Sequence, residues 1–98
     1  MIRIVHELTG FQRDLLYLVA GLEKPHGLGI KRELEQYYGE SITQGRLYPN
    51  LDALVEDGYI KKGEKDRRTN FYELTANGRQ AILERRAWEN DTFGQLFE

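Results

Sequence analysis

The chain contains no cysteine, and only two histidines and two prolines. Without thiols there is no disulfide framework, thiol nucleophile, cysteine redox switch or cysteine-bearing zinc site. His6 and His26 alone do not make a histidine-based metal centre, so no cofactor or metal is expected. Long apolar runs are missing as well, which excludes a membrane span. The N-terminus lacks the apolar stretch of a signal peptide, so the expected location is cytoplasmic. Nor is there an excess of basic charge: the formal net charge is −2. What remains is a chain of 98 residues, 40% hydrophobic and 31% charged, which fits one folded domain rather than a disordered segment.

The modest acidity hides a local asymmetry. Between Tyr59 and Asn70, Lys61, Lys62, Lys65, Arg67 and Arg68 outnumber Glu64 and Asp66, giving a local charge of +3 and leaving −5 on the rest. A basic edge on an acidic body suffices for a polyanion, because the local field governs association more than the total charge does.

The order of elements is read from periodicity and caps. Residues 1–7 alternate weakly, as a short strand or an arm. Thr9 with Gln12 has the spacing of a capping box, and Phe11, Leu15, Leu18, Val19 and Leu22 follow at helical period. Lys24, Pro25, His26 and Gly27 break that helix. A second helix is expected over 28–38, ending at Gly39. A third is expected over 43–57, capped by Thr43 and closed by Gly58 in a left-handed conformation. Pro49 lies inside it and removes a backbone donor, so a distorted first turn or a later start is expected. Two strands, near 59–62 and 70–74, flank a charged tip. Thr75 caps a last helix running from 76 to at least 90. The fold class is therefore mainly α with a small β-hairpin wing: a winged helix-turn-helix over 1–75 and a C-terminal dimerisation helix over 76–98.

Chemistry concentrates in two places. The third helix carries Gln44, Arg46, Tyr48, Asn50 and Asp52 beside its apolar Leu47, Leu51, Leu54 and Val55. Gln44 and Asn50 have the amide pattern that pairs with adenine, and Arg46 the fork that suits guanine or phosphate. Arg46 and Asn50 rank first as base readers. Tyr48 either places its hydroxyl on a phosphate or packs in the core. At the wing, Lys65, Arg67 and Arg68 suit backbone phosphates, with Thr69 and Asn70 offering shorter hydrogen bonds. The alternative is a solvated turn in which Asp66 pairs with an arginine. Lys61 and Lys62 point to opposite faces of a strand, so only one can face nucleic acid. No nucleophile–base pair or carboxylate constellation is evident, Gly27-Leu28-Gly29 lacks the spacing of a phosphate loop, and an enzyme is not expected. His26 reads as a helix cap or cover.

The last helix and its tail carry Ile82, Leu83, Trp88, Phe93, Leu96 and Phe97, more apolar surface than one small body needs. A second subunit is the economical cover. The expected contact set on this side is these six residues.

Three stretches in register resemble one family. Gly45-Arg46-Leu47-Tyr48-Pro49-Asn50-Leu51, running on to Leu54 and Gly58-Tyr59-Ile60, is the first. His26-Gly27 is the second, and Phe71-Tyr72-Glu73-Leu74-Thr75 with Gly78-Arg79 the third. Together they resemble the PadR-like winged-helix transcriptional regulators over nearly the whole chain, and more narrowly archaeal, especially haloarchaeal, members. The resemblance implies a homodimeric repressor or dual regulator on inverted-repeat promoter DNA. It implies that Tyr48 and the basic wing residues meet the backbone, and that dimerisation uses the C-terminal helix with the first, which adds Phe11, Leu15 and Leu18 to the contact set. It also implies, as one variant, a flat aromatic effector stacked on Trp88 between subunits. A protein-interaction module built on the same winged fold is the rival reading.

Overall fold

The computed structural model describes residues 7–64 and 69–98. The expected N-terminal arm up to residue 6 and the wing-tip residues Lys65, Asp66, Arg67 and Arg68 lie outside the described residues. Helices α1 (Gly10–Gly21), α2 (Gly27–Tyr38) and α3 (Gln44–Glu56) are followed by a hairpin of β1 (Ile60–Glu64) and β2 (Asn70–Leu74). Helix α4 (Ala76–Phe93) and a 3-10 turn (Gly94–Phe97) complete the chain.

The expected caps all form. Thr9 and Gln12 close a reciprocal capping box on α1, Thr43 accepts from the Arg46 N–H, and Thr75 accepts from the Gly78 N–H. Such side-chain caps satisfy donors that the first helical turn leaves unpaired, and each is worth about 1 kcal/mol. Gly39 ends α2 at φ 73° and Gly58 follows α3 at φ 85°, both in the left-handed region where a Cβ is disfavoured.

Pro49 departs from expectation. Helix α3 is continuous from Gln44 with the proline inside it. Pro49 and Gly45, the residue whose carbonyl loses its partner, are both exposed, on the side opposite buried Leu47, Leu51 and Leu54. The orphaned carbonyl therefore faces open solvent, where water replaces the missing N–H, and the helix is not forced to restart.

The core gathers one face of each helix in the bundle: Leu15, Leu16 and Val19 from α1, Ile30 and Leu34 from α2, Leu47, Leu51 and Leu54 from α3, sealed by Tyr59, Ile60 and Tyr72 from the hairpin. Phe11 and Leu15, expected at a subunit contact, are instead buried within the chain's own core, Leu15 completely. The correction follows from α1 lying against α2, α3 and β2: a side chain used to fill that space is not available to a second subunit.

The hairpin is antiparallel, with Ile60 opposite Leu74 and Glu64 opposite Asn70. Besides its core side chains, a β-bridge between His26 and Phe71 ties it to the bundle, with the Tyr72 N–H donating to the Pro25 carbonyl at 2.9 Å. That bridge fixes the wing beside the start of α2.

Candidate nucleic-acid interface

The turn between α2 and α3 sets how α3 is presented. The Glu35 carboxylate accepts from the Ile42 N–H at 2.8 Å and from the Lys31 ammonium at 2.9 Å. The Ile42 hydrogen bond first, and Lys31 second, hold its pKa below the ordinary value. Ile42 itself is buried, so the turn is anchored by an apolar plug and a charged clamp.

Helical geometry then sorts the outer residues of α3 into three rows. Gly45, Pro49, Asp52 and Glu56 form the exposed ridge opposite the core. Gln44 and Tyr48 lie on the flank towards α2 and the wing. Arg46 and Asn50 lie on the flank towards α1. The N-terminal half of the helix carries no acid in its first turn, whereas Asp52 and Glu56 occupy the C-terminal half. Unpaired N–H groups and the positive end of the helix dipole therefore coincide with the acid-free, small-residue half, the end that suits a polyanion.

The wing-side flank borders a groove of about 440 Å³ lined by His26, Gly27, Leu28, Tyr48, Thr69, Asn70 and Tyr72. His26 caps α2 by accepting the Gly29 N–H on Nδ1 at 2.9 Å, as its loop position suggests. Tyr48 is half-buried, packed against the core and across Gly27. The ring of Tyr48 thus packs against the core while also lining the open groove. Tyr72 sits fully buried at the groove floor, its pKa pushed up to about 12 by burial and then by the nearby Asp52 charge.

The two wing lysines separate as alternation requires. Lys62 shares a strand face with Tyr72 and reaches Asp52 on α3 at 3.7 Å. Lys61 lies on the opposite face and pairs with Glu73 at 3.4 Å. Lys62, with Asn70 and Thr69, is the wing residue set beside α3. The Lys62–Asp52 pair is solvent-exposed and contributes little to stability, so Lys62 is easily exchanged to a phosphate.

On the α1 flank both first-ranked base readers are engaged within the chain. The Arg46 guanidinium lies 3.9 Å from the centroid of the Phe11 ring. Asn50 is half-buried and bonded at both ends of its amide: Nδ2 donates to the Arg46 carbonyl at 2.7 Å, and Oδ1 accepts from Gln12 Nε2 at 3.0 Å. Both polar atoms of its amide are thus engaged within the chain. Gln12, which the sequence pointed out only as a capping residue, is the unforeseen member of the site. Its signal was the shared side of Arg46 and Asn50 four residues apart, facing the start of α1.

Among the described residues no group of three or more His, Cys, Asp or Glu side chains is placed to hold a metal ion. No helix there is long and apolar enough to cross a membrane.

A three-helix body with a two-stranded wing beside an exposed third helix is a winged helix-turn-helix. The model of the transcriptional regulator PadR-like family matches residues 15–84, and the chain belongs to that family. The family is one of DNA-binding transcriptional regulators rather than enzymes. RosR from H. salinarum, a haloarchaeal protein, is 47% identical, with a TM-score of 0.86 over 91% of this chain and 80% of that one. A complex of the same protein, hsRosR-S1, gives a TM-score of 0.87 at the same identity, over 91% and 79%. A transcriptional regulator from Clostridium thermocellum shares the fold at 22% identity, with a TM-score of 0.63 over 89% and 92%. No curated protein matches the chain.

Proposed function

We propose that the protein regulates transcription as a homodimer, as a repressor or dual regulator, placing the N-terminal half of α3 from each protomer in successive major grooves of an inverted-repeat promoter site. The observation that carries this reading is the character of that half-helix. It is exposed and acid-free, ridged by Gly45 and Pro49, and flanked by Arg46 on one side and Gln44 and Tyr48 on the other. Small residues on the ridge allow the backbone to approach base edges closely. The flanks then reach outward to bases or phosphates. Lys62, Thr69 and Asn70 continue the contact along the wing, and Lys65, Arg67 and Arg68 are assigned to phosphates on charge alone.

The homodimer rests on α4. Its buried residues are Gly78 and Ala81, both in the first half. The same stripe continues through half-buried Arg85 to exposed Trp88. Trp88 is 51% exposed, and Leu96 and Phe97 beyond it are more so. Leu18, Ile82 and Phe93 are half-buried, and a second copy covers Trp88, Leu96 and Phe97, while exposed Leu83 lies roughly 140° round the helix from Trp88. Two-fold symmetry then places the half-sites about 34 Å, or a multiple of it, apart.

Fluorescence anisotropy with the duplex upstream of the protein's own gene, against a shuffled duplex of equal composition over a salt series, tests the reading. A preference of about a hundredfold or more, weakening as salt rises, is expected. Equal, weak binding to that duplex, its shuffled form and genomic fragments would overturn it in favour of a protein-interaction module.

A further inference from the structure

We propose that Gln12 of α1 determines sequence preference without touching DNA, by holding the Asn50 amide in an orientation that keeps it from reading a base. The proposal rests on the duplex-binding reading of α3.

The argument starts from a hydrogen-bond chain whose direction is fixed at both ends. At one end the Thr9 backbone N–H, which can only donate, points to Gln12 at 3.2 Å, so the Gln12 atom there is Oε1. The other arm of the Gln12 amide is therefore the Nε2 donor, and it faces Asn50 at 3.0 Å. At the far end the Arg46 carbonyl, which can only accept, lies 2.7 Å from Asn50, so the atom there is Nδ2. That leaves Oδ1 facing Gln12, and the polarities agree throughout. Neither amide can flip without setting like against like.

A bidentate contact to adenine needs an amide that presents its donor and its acceptor together along one free edge. In Asn50 both atoms are bonded into the protein, to different elements, and the side chain is half-buried. Arg46, one turn earlier, is docked on Phe11, the residue beside Gln12. The α1 flank of the recognition helix is thus set against α1, and Gln12 is the part of α1 that fixes the Asn50 amide. With this lock in place, Gln44, Tyr48 and the Arg46 guanidinium remain to meet the groove. Without it, Asn50 becomes a base reader.

Two substitutions separate the lock from the helix cap that Gln12 also provides. Gln12→Glu keeps an acceptor for the Thr9 N–H and favours the helix N-terminus, but sets a carboxylate against Asn50 Oδ1 and cannot donate to it. Gln12→Lys keeps a donor for Asn50 and loses the acceptor for Thr9. Wild type, both variants and Asn50→Ala would be selected in parallel from a pool of randomised duplexes, with melting temperatures measured alongside. Gln12→Glu is expected to melt at or above the wild-type temperature and to gain a preference for adenine at one position per half-site, about tenfold or more. That gain should vanish in Gln12→Glu/Asn50→Ala. Gln12→Lys is expected to melt lower and keep the wild-type preference. A purely structural role for Gln12 predicts the reverse order, with Gln12→Lys the more disturbed in DNA binding.

An unchanged motif in Gln12→Glu, or a shifted one that survives Asn50→Ala, would overturn the assignment of Gln12 while leaving the wild-type motif, and with it the regulatory reading, in place. If the wild type enriches no motif at all, the sequence-specific reading falls and the Gln12 assignment falls with it.

Discussion

Tyr48 lies across Gly27 so closely that a Cβ on the glycine would stand 2.6 Å from the tyrosine hydroxyl and 2.7 Å from the nearest ring carbon. This contact joins the first residue of α2 to the middle of α3 and forms one wall of the groove beside the wing. Gly27→Ala should push the ring outward, destabilising the fold by about 1–3 kcal/mol and weakening DNA binding if Tyr48 meets the backbone. Truncating the partner removes the conflict. In a thermal-melt double-mutant cycle, Gly27→Ala should therefore cost much less in a Tyr48→Ala background. Equal costs in both backgrounds would show that the tyrosine is not what confines the glycine.

The sequence made such pairs visible as separate motifs, but not as contacts. His26-Gly27 and Leu47-Tyr48-Pro49 each stood out, yet that one glycine is small because of the other motif's tyrosine depends on the packing of α2 against α3. Helix ends were legible because caps are local: Thr9, Thr43 and Thr75 bond within three residues of themselves. The apolar stripe of α1 was also legible, but not what covers it: the resemblance pointed Phe11 and Leu15 at a partner, and their own core encloses them. The contacts of Asn50 were hidden for the same reason. Periodicity gave its side of the helix, while the amide's commitments depend on Gln12, 38 residues away.

Gly78, in the third motif, is confined by backbone rather than by a side chain. A Cβ there would collide with the Tyr59 carbonyl and come within 2.7 Å of a Leu74 methyl. The same carbonyl accepts the Thr75 N–H at 3.1 Å, and the Thr75 hydroxyl donates to the Gly58 carbonyl at 2.6 Å. Helix α4 thus starts pressed onto the chain between α3 and the wing. Gly78→Ala is expected to cost about 2–3 kcal/mol in chemical denaturation, despite alanine's better helix propensity. A neutral or stabilising result would mean that the start of α4 can lift away from the hairpin.

Alkaline stability separates two tyrosines that are shifted alike. Tyr72 and Tyr38 are both raised from 10.0 to about 12, burial being the largest cause in each. The fold favours the neutral phenol, so this contribution is complete below pH 10 and is lost as pH rises from 10 through about 12. The Tyr72 hydroxyl has no hydrogen-bond partner among the described residues, whereas that of Tyr38 donates to Asp14 at 2.6 Å. Tyr72→Phe should therefore leave stability at pH 7 within about 0.5 kcal/mol of wild type and move the alkaline unfolding midpoint upward. Tyr38→Phe should make the same alkaline shift but lose about 1 kcal/mol at neutral pH. Urea titrations at pH 7 and pH 11 distinguish them, and an unshifted alkaline midpoint in Tyr72→Phe would show that this phenol does not control the transition.

Trp88 decides between a helix that serves its own fold and one that serves a second copy. Its ring is half exposed, with the Arg85 guanidinium 4.6 Å from its centroid. Complete burial among the α4 residues is confined to Gly78 and Ala81, well before Trp88. If a second protomer covers it, Trp88→Ala should weaken self-association by about 2 kcal/mol or more, as for a central aromatic at an interface. Sedimentation equilibrium would read this as at least a roughly thirtyfold rise in the dimer dissociation constant. Affinity for a duplex carrying two half-sites should fall with it, because each protomer then loses the effective concentration its partner supplies. Affinity for a single half-site should stay near wild type. A wild-type chain that sediments as a monomer at every concentration, or a Trp88→Ala dimer as tight as wild type, would instead leave the exposed end of α4 without a role in pairing two α3 helices on DNA.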